Sequence, residues 1–180
     1  MRKIGWLLAA AGSAALLSTA AVQGVAAASA GHGPAHGHRS ATILKFDTMT
    51  PVTGPYVGAA NPIRGVPGGG LPWIITSGRG SLKADGRLVV KVRGLVLADQ
   101  PPVPAALQGT NPLPDFQAII SCQSIGAGDS ATIANVTTGD FTASPAGDSA
   151  INARVSLPRP CIAPIVFVTG PGIWLAATGS

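Results

Sequence analysis

The sequence predicts an all-β protein: an antiparallel β-sandwich, immunoglobulin-like or similar, with roughly seven to nine short strands and one disulfide. Three observations predict it. Glycine and proline supply 24 and 16 of the 180 residues, yet hydrophobic residues reach 46%, which fits a packed, turn-rich domain rather than a polar tail. None of the seven acidic residues is glutamate, and a Glu-poor chain rich in Gly, Pro, Thr and Val disfavours long helices. Short apolar runs recur between turn residues, several of them with the alternating parity of a half-buried strand.

In chain order, residues 1–30 read as a signal peptide. Arg2 and Lys3 are followed by the uncharged stretch 4–25 and the small-residue run Ala26-Ala27-Ala28-Ser29-Ala30, with cleavage fitting after Ala28 or after Ala30. The competing reading is an uncleaved anchor, since the apolar stretch is long enough to span a bilayer. No cysteine occurs before Cys122, so a lipid-modified leader cysteine is excluded. Loss of Arg2 and Lys3 leaves ten basic against seven acidic residues, a charge of +3. That is too small for a dedicated nucleic-acid binder. Residues 31–40 (GHGPAHGHRS) form a flexible His/Gly-rich arm without apolar periodicity.

Residues 41–180 are expected to form a single β-sandwich domain. A first strand covers 42–46 (TILKF). Residues 50–72 carry four prolines after Pro51 and repeated glycines, an extended segment that wraps the domain or lines a site. Trp73 to Thr76 is β-prone and ends at Ser77-Gly78. Residues 80–83 and 87–97 flank Ala84-Asp85-Gly86, and Asp-Gly between two such runs signals a hairpin. Within the second arm Leu88, Val90, Val92 and Val96 share one parity, while Arg87, Lys91 and Arg93 share the other. Residues 99–115 hold five prolines and read as a loop. Phe116, Ala118, Ile120 and Cys122 share parity, which turns the cysteine inward. Strands follow at 131–136, 141–143 and 150–157. Ile165-Val166-Phe167-Val168 is a continuous apolar run, suited to a strand buried on both faces, and 174–178 close the chain.

Cys122 and Cys161 pair most simply as one disulfide in an exported protein. The bond closes a loop of about 40 residues, which in the chain-entropy model contributes about 4 kcal/mol.

The catalytic inventory is sparse. His32, His36 and His38 are the only histidines, and all lie in the arm. A Ser-His-Asp triad or a Cys-His pair is therefore excluded from residues 41–180. Asp47, Asp85, Asp99, Asp115, Asp129, Asp140 and Asp148 remain, mostly beside Gly, Pro or Ser, where turns recruit aspartate. The chain reads as a non-enzyme without a cofactor. An Asp-dependent hydrolase using paired carboxylates is the weaker alternative. Gly68-Gly69-Gly70 fits no phosphate-binding fingerprint and reads as a turn. Asn135-Val136-Thr137 is formally a glycosylation sequon.

Two clusters carry binding hypotheses. His32, His36 and His38 offer imidazole nitrogens to Cu or Ni. Arg79, Lys83, Arg87, Lys91 and Arg93 form a basic stripe opposed in sequence only by Asp85, suited to an anionic wall polymer or membrane surface, or to guarding a sheet edge. No aromatics interleave with it to stack bases, which disfavours nucleic acid. Tyr56, Trp73 and Trp174 are the aromatics a sugar platform would use, although core packing is the commoner fate of a strand tryptophan.

The stretches FDTMTPVTGPYVGAANPIRGVPGGGLPW (46–73), LVVKVRGLVLA (88–98), FQAIISC (116–122) and LPRPCIAPIVFVTGPGIWLAATG (157–179) resemble a family of small secreted proteins of actinobacterium-like Gram-positive bacteria. The resemblance covers about three quarters of the chain and leaves out residues 31–40. It implies export and a single domain, and it implies no activity. The expectation is thus a secreted, non-catalytic extracellular or wall-associated module. Its partner is an anionic cell-wall polymer, not nucleic acid, and it meets the membrane only through an uncleaved leader. Cu or Ni binding by the arm is the alternative.

Overall fold

The structure is a computed structural model and describes residues 40–178. Its strands are β1 Thr42–Phe46, β2 Thr50–Pro51, β3 Trp73–Ile74, β4 Ser77–Lys83, β5 Arg87–Arg93, β6 Val96–Leu97, β7 Asp115–Ile125, β8 Ala131–Thr137, β9 Phe141–Thr142, β10 Ser149–Arg154, β11 Ile162–Gly170 and β12 Ile173–Ala177. Eight of them have five residues or more, within the expected seven to nine. The other four are two-residue pieces, too short for a periodicity to register.

The strands form a four-stranded sheet ordered β1-β4-β5-β10 and a larger one ordered β2-β12-β11-β7-β8, with β9 also pairing β7. A small β3-β6 ladder completes the set. All strand pairings are antiparallel. The two main sheets share one apolar core in a sandwich-like arrangement. Leu82, Leu88, Val90, Val92 and Ile151 enter it from the smaller sheet, and Phe116, Ala118, Ile120, Cys122, Val166 and Val168 from the larger.

Local sequence explains the best-formed parts. The β4–β5 hairpin closes at Gly86, whose φ of 80° suits glycine. A Cβ there would land on the Val155 carbonyl oxygen, so the turn admits no other residue without a backbone shift. Beyond it the alternation is read out directly: Leu88, Val90 and Val92 are buried, while Arg87, Lys91 and Arg93 are exposed. The run Val166-Phe167-Val168 is buried throughout because β11 lies between β12 and β7.

Where β12, β11 and β7 run side by side around Phe167, both faces of the larger sheet are covered, whereas β8 has no buried residue. One meets the smaller sheet, and residues 52–72 wrap the other. The Val52 N–H donates to the Leu175 carbonyl and the Gly69 N–H to the Trp174 carbonyl, while Tyr56 packs on Trp174 with ring centroids 6.3 Å apart. A miniature hairpin with Arg64 and Gly65 at its tip (φ 49° and 79°) sits midway along the wrap, its ends held by reciprocal bonds between Ile63 and Val66. The Arg64 guanidinium donates to the Ser121 carbonyl at 2.9 Å, and the Asn135 amide donates back to the Arg64 carbonyl at 3.1 Å. The segment expected to wrap or to line a site therefore wraps.

Several boundaries differ from expectation. Ser77-Gly78 does not end a strand but opens β4, because the chain turns earlier, where the Thr76 N–H donates to the Arg93 carbonyl. Residues 87–97 are two strands rather than one. Gly94 (φ 61°) breaks them, and Leu95 then bonds Gly147 while Val96 pairs with Ile74. Gly68 is no simple turn residue, since it forms a parallel bridge to Trp174. Residues 150–157 shorten to Ser149–Arg154, after which Val155 bonds the hairpin turn at Gly86.

Cys122 and Cys161 form the disulfide. It ties β7 to the residue preceding β11, beside the irregularity in their ladder between Ile162 and Ile165. A cross-link there holds two strands where hydrogen bonding is interrupted.

Candidate functional site

The outer face of the four-stranded sheet collects the cations. In an antiparallel sheet, directly paired residues point the same way. Arg79 pairs with Lys91, Ser77 with Arg93, Thr42 with Lys83, Lys45 with Ser81, and Arg87 with Arg154. All five basic residues singled out in the sequence therefore share this face, opposite the buried Leu82, Leu88, Val90 and Val92. Two further cations join them, Lys45 from β1 and Arg154 from β10. Of the nine Lys and Arg residues between positions 40 and 178, seven stand here.

Lys45 and Arg154 were missed because they lie about 35 and 60 residues from the stripe in sequence and reach it only through strand order. Their signal was faint: Arg154 occupies the polar parity of its strand, as in Ala150-Asn152-Arg154, whereas Lys45 shares parity with Ile43 and reaches the outer face beside Thr42 only through a register shift in β1.

The cations divide electrostatically. Asp85 takes both Arg87 and Arg154, at 3.2 and 2.8 Å, and accepts the Arg87 backbone N–H at 3.2 Å. Its desolvation raises its pKa, but the Arg87 N–H, the Arg154 and Arg87 guanidinium groups and the Ser40 hydroxyl outweigh this and hold it below the ordinary carboxylate value. These are the only salt bridges among the described residues. Among the described residues Lys45, Arg79, Lys83, Lys91 and Arg93 thus lack an ion-pair partner, although Arg79 and Lys91 oppose each other directly across the ladder. Like charges so placed repel. Lys45, Arg79 and Lys91, with Thr42, Asp47, Gly80, Ser81 and Val89, line a shallow depression of about 420 Å³.

The Asp85 clasp predicts a pH dependence. A carboxylate with a depressed folded-state pKa stabilises the fold above its unfolded value and loses that contribution as pH falls through the folded one. Thermal melts from pH 5 to pH 2 should therefore show a steeper acid-side loss for the wild type than for Asp85→Asn. Parallel curves would show that the clasp contributes nothing.

Other sequence candidates are dispersed. Trp73 and Trp174 are buried, and Tyr56 alone of the three aromatics is exposed, at 45%; the core has taken the two tryptophans a sugar platform would need. His32, His36 and His38, the rest of the arm up to Arg39 and the 1–30 leader lie outside the described residues. Within those residues no group of His, Cys, Asp or Glu side chains is placed to hold a metal ion, and no helix is long and apolar enough to cross a membrane. Asp115 and Asp140 line a common cavity of about 190 Å³, where the Gln117 amide donates to Asp140 at 2.6 Å. A cavity of about 690 Å³ runs from Asp85 and Arg154 along residues 155–160 to Cys161. Asn135 of the sequon lies on β8, the edge strand of the larger sheet. Compared with family models, curated proteins and solved structures, the chain matches none.

Proposed function

We propose that this protein is an exported, non-catalytic module that binds an anionic polymer of the cell surface through the outer face of its four-stranded sheet. The observation that carries the reading is the convergence of seven cations on that face, with Lys45, Arg79, Lys83, Lys91 and Arg93 left without a salt-bridge partner among the described residues. An exposed cation row that destabilises its own ladder by repulsion is relieved when a polyanion docks on it. The disulfide fits an oxidising compartment, and the charged n-region, apolar stretch and small-residue run of the leader fit export. The resemblance to small secreted proteins of Gram-positive bacteria agrees with that compartment.

The test is co-sedimentation of the purified protein with insoluble bacterial cell wall. Wild-type protein should pellet at low salt and be released as salt shortens the screening length to about 3 Å near 1 M. The double variant Arg79→Glu/Lys91→Glu should bind about tenfold or more weakly, because two attractions become repulsions. Binding that survives both salt and charge reversal would remove the basic face from consideration.

A further inference from the structure

The outer face of the four-stranded sheet is not evenly charged. Strand pairing arranges its side chains in rows that run across the strands. One row holds Arg79 and Lys91. Another holds Thr42 opposite Lys83, and Arg87 opposite Arg154. Between them lies a row of shorter residues, Ser81 opposite Val89 and Val89 opposite Asn152, with Lys45 opposite Ser81 at the β1 end. Ser81 and Val89 are half-buried and line the floor of the depression described above.

Same-face neighbours along a strand stand about 6.8 Å apart, so the two cationic rows are separated by roughly 13 Å, with the low row midway. Four strands spaced about 4.8 Å apart give the low row a length of roughly 14 Å between its outer strands. The face is a trough with cationic banks, open at its β10 edge and flanked at its β1 edge by Lys45 and Asp47.

From this relief we infer that the ligand is a linear, extended polyanion lying across the strands in the trough, with repeated phosphate or carboxylate groups that meet the two banks in turn. The inference rests on the reading of the basic face as a polyanion site and specifies its ligand. A compact single anion would use one bank and leave the other unused. A chain with charges along its length engages Arg79 and Lys91 on one side and Lys83 on the other, while the Asp85 clasp fixes Arg87 and Arg154 in place. The face carries no aromatic side chain on which bases could stack: Phe46, Phe116, Phe167, Trp73 and Trp174 are all buried. Single-stranded nucleic acid, which gains much of its affinity from such stacking, is therefore the poorer fit.

The test separates the trough from the charge. Val89→Phe and Ser81→Phe fill the floor and leave every charge unchanged; phenylalanine is a favoured strand residue on an outer face. Calorimetric titration with orthophosphate, tripolyphosphate and long-chain polyphosphate should show affinity rising with chain length. The two floor variants should bind the long chain about tenfold more weakly while melting like the wild type. Polygalacturonate provides the carboxylate arm, and the tighter of the two polymers identifies the anion class.

If floor variants bind as the wild type while Arg79→Glu/Lys91→Glu does not, the basic face is a polyanion site but the trough is wrong. Orthophosphate binding as tightly as the long chain would overturn the linear ligand, as would oligothymidylate binding tighter than either polymer. Failure of the wild type to bind any of these polyanions would overturn both this inference and the function on which it rests.

Discussion

Replacing Cys122 and Cys161 together by alanine should lower the melting temperature by roughly 10–20 °C. The cross-linked residues are 39 apart in sequence, and releasing a loop of that size gives the unfolded chain about 4 kcal/mol of conformational freedom in the chain-entropy model. For a domain of this size each kcal/mol moves the melting point by about 3–5 °C. The native state loses little packing in exchange, since Cys161 is only partly buried and alanine fits the core position of Cys122 with one atom fewer. The sulfur that leaves Cys122 adds a small cavity cost of the same sign. Melts of the double variant, and of wild type with and without reductant, check this. A melting point within about 3 °C of wild type would show that the β7–β11 ladder closes without the bond.

Phe116→Ala should cost about 3–5 kcal/mol, a large share of the roughly 5–15 kcal/mol typical of a whole domain. Phe116 is fully buried and is among the largest fully enclosed side chains of the core. It meets Trp73 edge-on with ring centroids 6.5 Å apart, and its backbone pairs with Phe141 of β9. Truncation therefore removes buried apolar surface, an aromatic contact and the support of the β3 ladder at once. Urea unfolding should show an early midpoint with little change in slope. A loss below about 1 kcal/mol would mean that the surroundings collapse to fill the space, which a close-packed interior does not do cheaply.

Much of the fold was legible because local patterns agreed with it. The parity of residues 87–93 placed three valine or leucine side chains inward and three cations outward before any strand order was known. Asp85-Gly86 located the hairpin, and the unbroken run at 165–168 identified a central strand. What could not be read were features set by distant partners. Gly94 looked like one glycine inside a strand, yet Leu95 beyond it bonds Gly147, more than 50 residues away. Gly68 looked like a turn until Trp174 gave it a bridge. Thr50–Pro51 is a strand only because the edge of β12 is there to pair with it.

The candidate site divides the same way. Sequence alone determined the all-β class, the inward Cys122 and the five-cation stripe, because composition, alternation and turn chemistry act over a few residues. Only the tertiary structure decided that β1 and β10 flank that stripe, adding Lys45 and Arg154, that Asp85 is consumed by two arginines, and that Trp73 and Trp174 are buried. The physical reason is that a strand's own sequence fixes which side chains share its face. Which strands lie beside it is fixed by packing the strands together into one core.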